Sequence, residues 1–497
     1  MLFVSTRGKT DMVSSAHAIS RGLAGDGGLF VPQSVPQVSL EDIKAMVSLP
    51  YTERAVAVLS QYLTDYTQEE LRQCVESAYT AEKFGGEPAP LVKVTDNTAV
   101  LELWHGPTSA FKDMALQLLP HLLTRAIAKT GETKKVVILV ATSGDTGKAA
   151  LEGFADVENT EIIVFYPSQG VSDIQKRQMI TQMGKNVKVF GIEGNFDDAQ
   201  RGVKEIFGNA ALAQELAEKG YVFSSANSIN WGRLVPQIVY YFSAYADAVK
   251  NGSLALGDPI NFVVPTGNFG NILAGYYAKL MGLPVARLLC ASNNNNVLTD
   301  FINEGTYNKK REFFKTISPS MDILVSSNLE RLLYIAKGMD DKAAAAVAGY
   351  MEALNTEGAY TVDKELLQKI QSEFFGAWID EIETKETIGR VFRENKYLMD
   401  THTAVAWRAL EKYRFLTSDE TYTVVLSTAS PYKFADSVLV ALEEEAVAEP
   451  FQLLRNLNAK SGLEIPSRML ALETLPILHS DVIAAAAMEA SVKDYLK

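Results

Sequence analysis

The run His105-Gly106-Pro107-Thr108, followed shortly by Phe111-Lys112-Asp113, sets one lysine behind a turn-forming stretch and ahead of an apolar periodicity. Between residues 114 and 129, Ala115, Leu118, Leu119, Leu122, Leu123 and Ile127 recur at helical spacing, which predicts an amphipathic helix with Lys112 in or near its first turn. Pro120 can kink such a helix without ending it. The positive end of a helix dipole disfavours an ammonium, so an amine placed there loses its proton more easily. That placement suits a lysine that attacks an aldehyde as a free amine. Spacing alone leaves an ordinary surface lysine open.

Three further turns carry candidate chemistry. Thr142-Ser143-Gly144-Asp145-Thr146-Gly147-Lys148 follows a β-rich run and opens a helical stretch, where outward-pointing backbone amides bind carboxylate or phosphate. It is not a nucleotide P-loop, because the glycines are too close together and Ala149 follows Lys148 where Ser or Thr is needed. Pro265-Thr266-Gly267-Asn268-Phe269-Gly270-Asn271 is a second strand-to-helix turn. Its glycines permit close approach to a ligand, and its amides could cradle a phosphate. It lacks the dinucleotide G-x-G-x-x-G pattern. Leu426-Ser427-Thr428-Ala429-Ser430-Pro431 puts hydroxyls at a strand end, where a helix cap is the plainer reading. Plain turns remain open at the first two as well.

The elements that must position these turns alternate. Residues 136–141, 161–166, 187–192, 261–265, 285–291 and 422–427 read as strands. Residues 147–154, 172–183, 197–207, 231–249 and 271–281 read as helices, so a mostly parallel, doubly wound α/β sheet is expected. Residues up to about 85 read as mainly helical, with Thr67 and Glu70 forming a capping-box pattern. The stretch from Gly85 to Pro90 is the best boundary. Residues 300–410 read as more helical and polar, and the tail from about 441 as helical with breaks at Pro450 and Pro466. The expected division is an N-terminal unit at 1–88, a core of two α/β subdomains at 89–440 with the site between them, and a helical extension at 441–497.

With 497 residues, 47% hydrophobic and 22% charged, the chain has ordinary globular usage and ample core material. A net charge of −13 argues against nucleic acid or an anionic membrane as partner, so an anionic ligand must meet a local cluster of donors. Cys74 and Cys290 lie far apart, suggesting neither a disulfide framework nor a metal site. The first residues lack the apolar core of a signal peptide, and no apolar run reaches membrane-spanning length, so a cytoplasmic location is expected.

Together these segments resemble the threonine synthases of the pyridoxal-phosphate, tryptophan-synthase-β-like fold (fold type II). The resemblance also covers Ser5-Thr6-Arg7-Gly8, Asp26-Gly27-Gly28-Leu29-Phe30, Asn227-Ser228-Ile229-Asn230-Trp231-Gly232-Arg233 and Ser318-Pro319-Ser320-Met321-Asp322. It implies that Lys112 forms the Schiff base with pyridoxal 5'-phosphate. It implies that Gly267, Asn268, Phe269 and Asn271 hold the cofactor phosphate, and that Thr428 meets the pyridine nitrogen. Thr142, Ser143, Asp145 and Thr146 would face the substrate carboxylate and the cofactor's phenolic oxygen, with a carboxylate at Asp145 awkward there. Ser228, Arg233 and Thr146 would bind the substrate phosphate. The implied reaction converts O-phospho-L-homoserine and water to L-threonine and phosphate, in a monomer or homodimer. Another lyase of the same fold, such as a dehydratase or phospholyase, and a non-catalytic relative are the alternatives.

Overall fold

The computed structural model describes residues 1–169, 171–446 and 449–497; residues 447–448 of the tail and Gly170 lie outside the described residues. Two sheets organise the chain. The larger has six strands in the order Phe374–Trp378, Val285–Ser292, Ile260–Pro265, Thr423–Ser427, Thr98–Glu102 and Leu91–Thr95, parallel except for the last pair. The smaller has five parallel strands in the order Val482–Ala484, Val187–Glu193, Thr160–Pro167, Lys135–Ala141 and Tyr221–Ser224. The strand Lys135–Ala141 is a near-continuous apolar run because both faces of a parallel sheet are covered by helices. This is the expected mixed α/β architecture.

The helix Trp231–Lys250 is buried on nearly every face, which explains its apolar character all round. The N-terminal residues add the helices Tyr51–Tyr62 and Gln68–Ala78, the second opened by the expected Thr67–Glu70 capping box. They also form a small antiparallel sheet of Val13–Ser14, Leu2–Ser5 and Phe30–Pro32. Buried Arg54 fastens this unit to the central helix, donating to Asp247 at 2.8 Å and to the Ser243 hydroxyl at 2.8 Å. Among the described residues no helix is long and apolar enough to cross a membrane.

Three expectations need correction. The periodic run after Lys112 is two helices, Asp113–Leu116 and Leu119–Thr130, not one. Pro120 falls in the first turn of the second, where its missing N–H is not needed, so it helps start a helix rather than kinking one. The tail is not wholly helical, since Val482–Ala484 joins the edge of the small sheet beside Val187–Glu193. The polar region 300–410 likewise supplies an edge strand of the large sheet, Phe374–Trp378. Short edge strands draw their hydrogen bonds from a neighbour distant in sequence, so local patterning does not reveal them.

Gly153 lets the helix Asp145–Phe154 lie against the lysine segment: a Cβ there would stand 2.0 Å from the Leu116 carbonyl oxygen. Alanine in a helix gains about 1 kcal/mol over glycine, but overpacking costs about 1–3 kcal/mol, and a clash this close with backbone stands at the upper end. Gly153→Ala is therefore expected to lower stability, read as an earlier denaturant midpoint. An unchanged or later midpoint would show that the two helices can separate without cost.

Candidate active site

Five strand ends deliver the candidate residues to one region, where their turns meet. In the large sheet, Thr98–Glu102 leads into the lysine segment, Ile260–Pro265 into residues 266–271, Val285–Ser292 into Asn293 and Asn295, and Thr423–Ser427 into residues 428–434. In the small sheet, Lys135–Ala141 leads into residues 142–147. Ligand sites collect at the carboxyl ends of parallel strands in this way.

The lysine segment is tied down on both sides. Phe111 N–H donates to the Thr428 carbonyl at 2.8 Å, and Ser430 N–H donates to Ser109 O at 3.1 Å, flanking an Ala110–Ala429 bridge. Thr108 donates its N–H at 2.7 Å and its hydroxyl at 2.8 Å to buried Asp113. Burial pushes the Asp113 carboxyl up to about 6, against these two hydrogen bonds. Ser109 is held at φ 58°, a left-handed conformation that strains a residue with a side chain.

The Lys112 side chain is 12% exposed, with its Nζ 3.9 Å from Asp145 Oδ2 and 3.4 Å from Ser320 Oγ. Burial pulls its pKa down to about 8; Asp145 opposes the shift, and the charges of Lys433 and Arg233 reinforce it. The helix that follows has only four residues, so desolvation rather than a helix dipole is the main cause.

In the turn at 142–147, Thr142 Oγ1 accepts the N–H groups of Gly144 at 3.0 Å and Gly147 at 2.8 Å, which locks the turn from inside. Ser143 and Thr146 are partly exposed there, and Gly144 stands at φ 138°. Buried Asp145 receives Lys433 Nζ at 2.6 Å and Gln175 Nε2 at 2.8 Å on Oδ1. Burial alone would raise its pKa, but Lys433 and Lys112 reverse that and hold the carboxyl well below the usual range. An anionic Asp145 repels a carboxylate ligand. The groups of this turn able to bind an anion are the amides that Thr142 does not take up and the Ser143 and Thr146 hydroxyls.

The turn at 266–271 opens the helix Gly270–Leu280, whose first amides have no intrahelical acceptor. Phe269 is held at φ 61°, and Gly267 packs so closely that a Cβ would meet Ser320 O at 2.6 Å. The Asn268 carbonyl accepts Asn328 N–H at 3.1 Å and Nδ2 at 3.0 Å. Asn271 Oδ1 accepts the hydroxyls of Tyr240 at 2.6 Å and Tyr241 at 2.9 Å, which leaves its Nδ2 buried without a partner. Ser228 reaches this turn through Ser327, whose hydroxyl lies 3.4 Å from Ser228 Oγ and 3.3 Å from Asn268 Oδ1.

Arg233 is 3% exposed in the first turn of the central helix. Its Nη1 donates to Ala226 O, its Nε is buried without a partner, and burial lowers its pKa to about 10. Among the described residues no carboxylate pairs with it. A buried guanidinium left in this state calls for an anion.

Three contributors escaped the sequence reading. Ser320 lies in the segment 318–322 that carries the resemblance and Lys433 two residues beyond the turn at 426–431, but nothing local marks their side chains. His402 carried no signal at all: its Nε2 accepts the Ser320 backbone N–H at 3.1 Å, so its Nδ1 donates to Asp400 at 2.7 Å. Ser, His and Asp in a chain suggest a nucleophilic triad, yet here serine offers its backbone amide and not its hydroxyl. The arrangement positions Ser320; it does not activate it.

The donor set fits a phosphorylated aldehyde cofactor. A largely buried amine of lowered basicity stands at Lys112, and a glycine-containing helix start with an orphaned Asn271 amide stands nearby. Three family descriptions match the chain: "Threonine synthase N terminus" over residues 2–79, "Pyridoxal-phosphate dependent enzyme" over 84–428 and "Threonine synthase, C-terminal" over 403–490. The chain is 41% identical over 458 residues to a threonine synthase of Pseudomonas aeruginosa, covering 91% of this chain and 93% of that protein. It is 40% identical over 445 residues to Homo sapiens threonine synthase-like 1, covering 87% of this chain but only 58% of that longer protein. The crystal structure of a PLP-bound threonine synthase from Brucella melitensis superposes with a TM-score of 0.87 at 38% identity, covering 100% of this chain and 98% of that one.

The amine gives a direct test of the electrostatics. Capture of added pyridoxal phosphate by the cofactor-free protein is expected to speed up with pH through about 8, the pKa to which burial lowers Lys112. A midpoint near that of a free lysine, about 10.4, would show that the amine is solvated.

Proposed function

The chain belongs to the pyridoxal-phosphate-dependent threonine synthase family, and we propose that it converts O-phospho-L-homoserine and water to L-threonine and phosphate. The observation that carries this reading is that a largely buried, low-basicity amine at Lys112 feels the charge of a buried guanidinium at Arg233 whose Nε has no partner. The first fits an enzyme that holds its cofactor through a lysine; the second fits a substrate with a phosphate to lose.

Lys112 would hold the cofactor aldehyde. The backbone amides of Gly267, Asn268, Phe269 and Asn271, with the unpartnered Asn271 side-chain amide, would hold its phosphate, and the Thr428 hydroxyl would meet its ring nitrogen. Bound there, the cofactor supplies an electron sink for carbanions at the substrate's Cα and Cβ. The remaining chemistry belongs to the chain. Lys112, freed from the cofactor, takes and returns protons at Cα and Cβ. Arg233, with Ser228 and Thr146, binds the substrate phosphate and stabilises its charge as it leaves Cγ. The amides of Ser143, Asp145 and Thr146, with the Ser143 hydroxyl, orient the substrate carboxylate, while Thr142 takes up the Gly144 and Gly147 amides and keeps that turn in shape. Water then adds at Cβ. We place the division of labour at 1–88 for the N-terminal unit, 89–440 for the catalytic core and 441–497 for the extension, in a cytoplasmic enzyme acting as a monomer or homodimer.

Purified protein supplied with cofactor and O-phosphohomoserine should release phosphate and threonine in equal amounts. Phosphate with a keto acid in place of threonine would make it another lyase of the same fold. Borohydride reduction followed by peptide mapping should label Lys112. Arg233→Ala should lose about 2–4 kcal/mol of transition-state stabilisation, read in kcat/KM, and Arg233→Lys should also be costly because the planar two-pronged fork is gone. A value within a few-fold of wild type for Arg233→Ala would remove Arg233 from the phosphate site.

A further inference from the structure

We propose that Lys433 and Asp145 form a single positioning unit for Lys112, a buried ion pair built across the two sheets that turns one carboxylate oxygen toward the Lys112 amine. The proposal rests on Lys112 being the cofactor lysine. Asp145 comes from the turn after a small-sheet strand, Lys433 from the short helix Pro431–Phe434 after a large-sheet strand. Their side chains are 3% and 0% exposed and meet at 2.6 Å. With Lys433 and Gln175 both on Oδ1, Asp145 cannot swing, and Oδ2 is left facing Lys112 Nζ at 3.9 Å and Ser320 Oγ at 3.5 Å. Lys433 also donates to Thr108 O at 2.9 Å, and Thr108 is itself bonded to Asp113, so the same ammonium braces the segment that carries Lys112.

Neither partner tolerates the loss of the other. Without Lys433 the carboxylate keeps only the more distant Lys112 ammonium at 3.9 Å, and without Asp145 the Lys433 ammonium has no ion-pair partner among the described residues, whereas removing both leaves neutral groups. The charges bearing on Lys112 are Asp145 and Asp113, which favour its ammonium, and Lys433 and Arg233, which disfavour it. Deleting Lys433 should therefore make the amine hold its proton to higher pH. Deleting Asp145 should make it release the proton at lower pH, and deleting both should nearly cancel. A pair that only propped up the fold would alter stability without moving the amine in opposite directions.

The test uses the cofactor-free full-length protein and the variants K433M, D145N, D145N/K433M and K433R. One readout is the pH dependence of pyridoxal phosphate capture at Lys112, trapped with borohydride and mapped; the other is thermal unfolding without cofactor. The capture midpoint should rise by about 1 pH unit in K433M and fall by about 1 in D145N. It should stay within about 0.3 of wild type in K433R and in the double variant. Unfolding temperature should drop in each single neutralising variant and recover in the double. Midpoints that stay put or move together in K433M and D145N would overturn the proposal, as would a double variant no more stable than its worse parent. If neither single variant folds, a folded double variant supports the pairing and an unfolded one overturns it. Trapping at a different lysine would remove the premise and the proposal with it; trapping at Lys112 with unmoved midpoints would sink the pair alone.

Discussion

The contact between Asp145 and Lys433 is the constraint around which the cleft is arranged. The two sheets carry their candidate groups on separate turns, and this 2.6 Å pair joins those turns in the interior. From it follow the direction of the second Asp145 oxygen, the fixed approach to Lys112 and the bracing of the backbone at Thr108. A buried ion pair is weak evidence for stability, because desolvation offsets much of the attraction. Its value here is geometric: it fixes where one negative charge sits relative to an amine.

The local charge balance is unlike that of the whole chain, whose net charge is −13. Lys112, Lys433 and Arg233 all lie in poorly solvated surroundings, and Asp145 and Asp113 are the acids that bear on Lys112. Two arginines show how partners decide function. Arg331 and Arg233 are both buried, and burial lowers both to about 10. Arg331 donates to Phe30 O at 3.0 Å, Asn328 Oδ1 at 2.6 Å and Ile229 O at 2.7 Å, so it is a structural clamp. Arg233 keeps its Nε free of any partner and remains available.

Through that clamp the N-terminal unit helps shape the site. Arg7 grips Glu330 with two 2.9 Å bonds, and Thr6 adds a third at 2.6 Å, just before Arg331 in the chain. Arg331 in turn fixes Asn328, which holds the Asn268 carbonyl, and Ile229, the neighbour of Ser228. The strained residues Ser109 and Phe269 sit in the two turns that this packing and the Ala110–Ala429 bridge hold in place, where surrounding contacts can sustain them.

The amino-acid sequence by itself determined the alternation of strands and helices, the turns at 142–147 and 266–271, the Thr67 capping box and the family wording around Lys112. All of these are written in neighbouring residues, in the periods and turn chemistry of a local stretch. It left undecided the break at Gln117, the edge strands Phe374–Trp378 and Val482–Ala484, and the partners of every buried charge. Lys433 lies 288 positions after Asp145 in the numbering, and His402 lies 82 positions after Ser320. No spacing rule links residues so far apart. Only the tertiary structure brings them within hydrogen-bond reach, and only burial turns Asp145 from a doubtful ligand into a fixed counter-charge and leaves the Arg233 Nε enclosed without a partner. Desolvation depends on everything that packs around a group, and that is a property of the fold rather than of any segment of the chain.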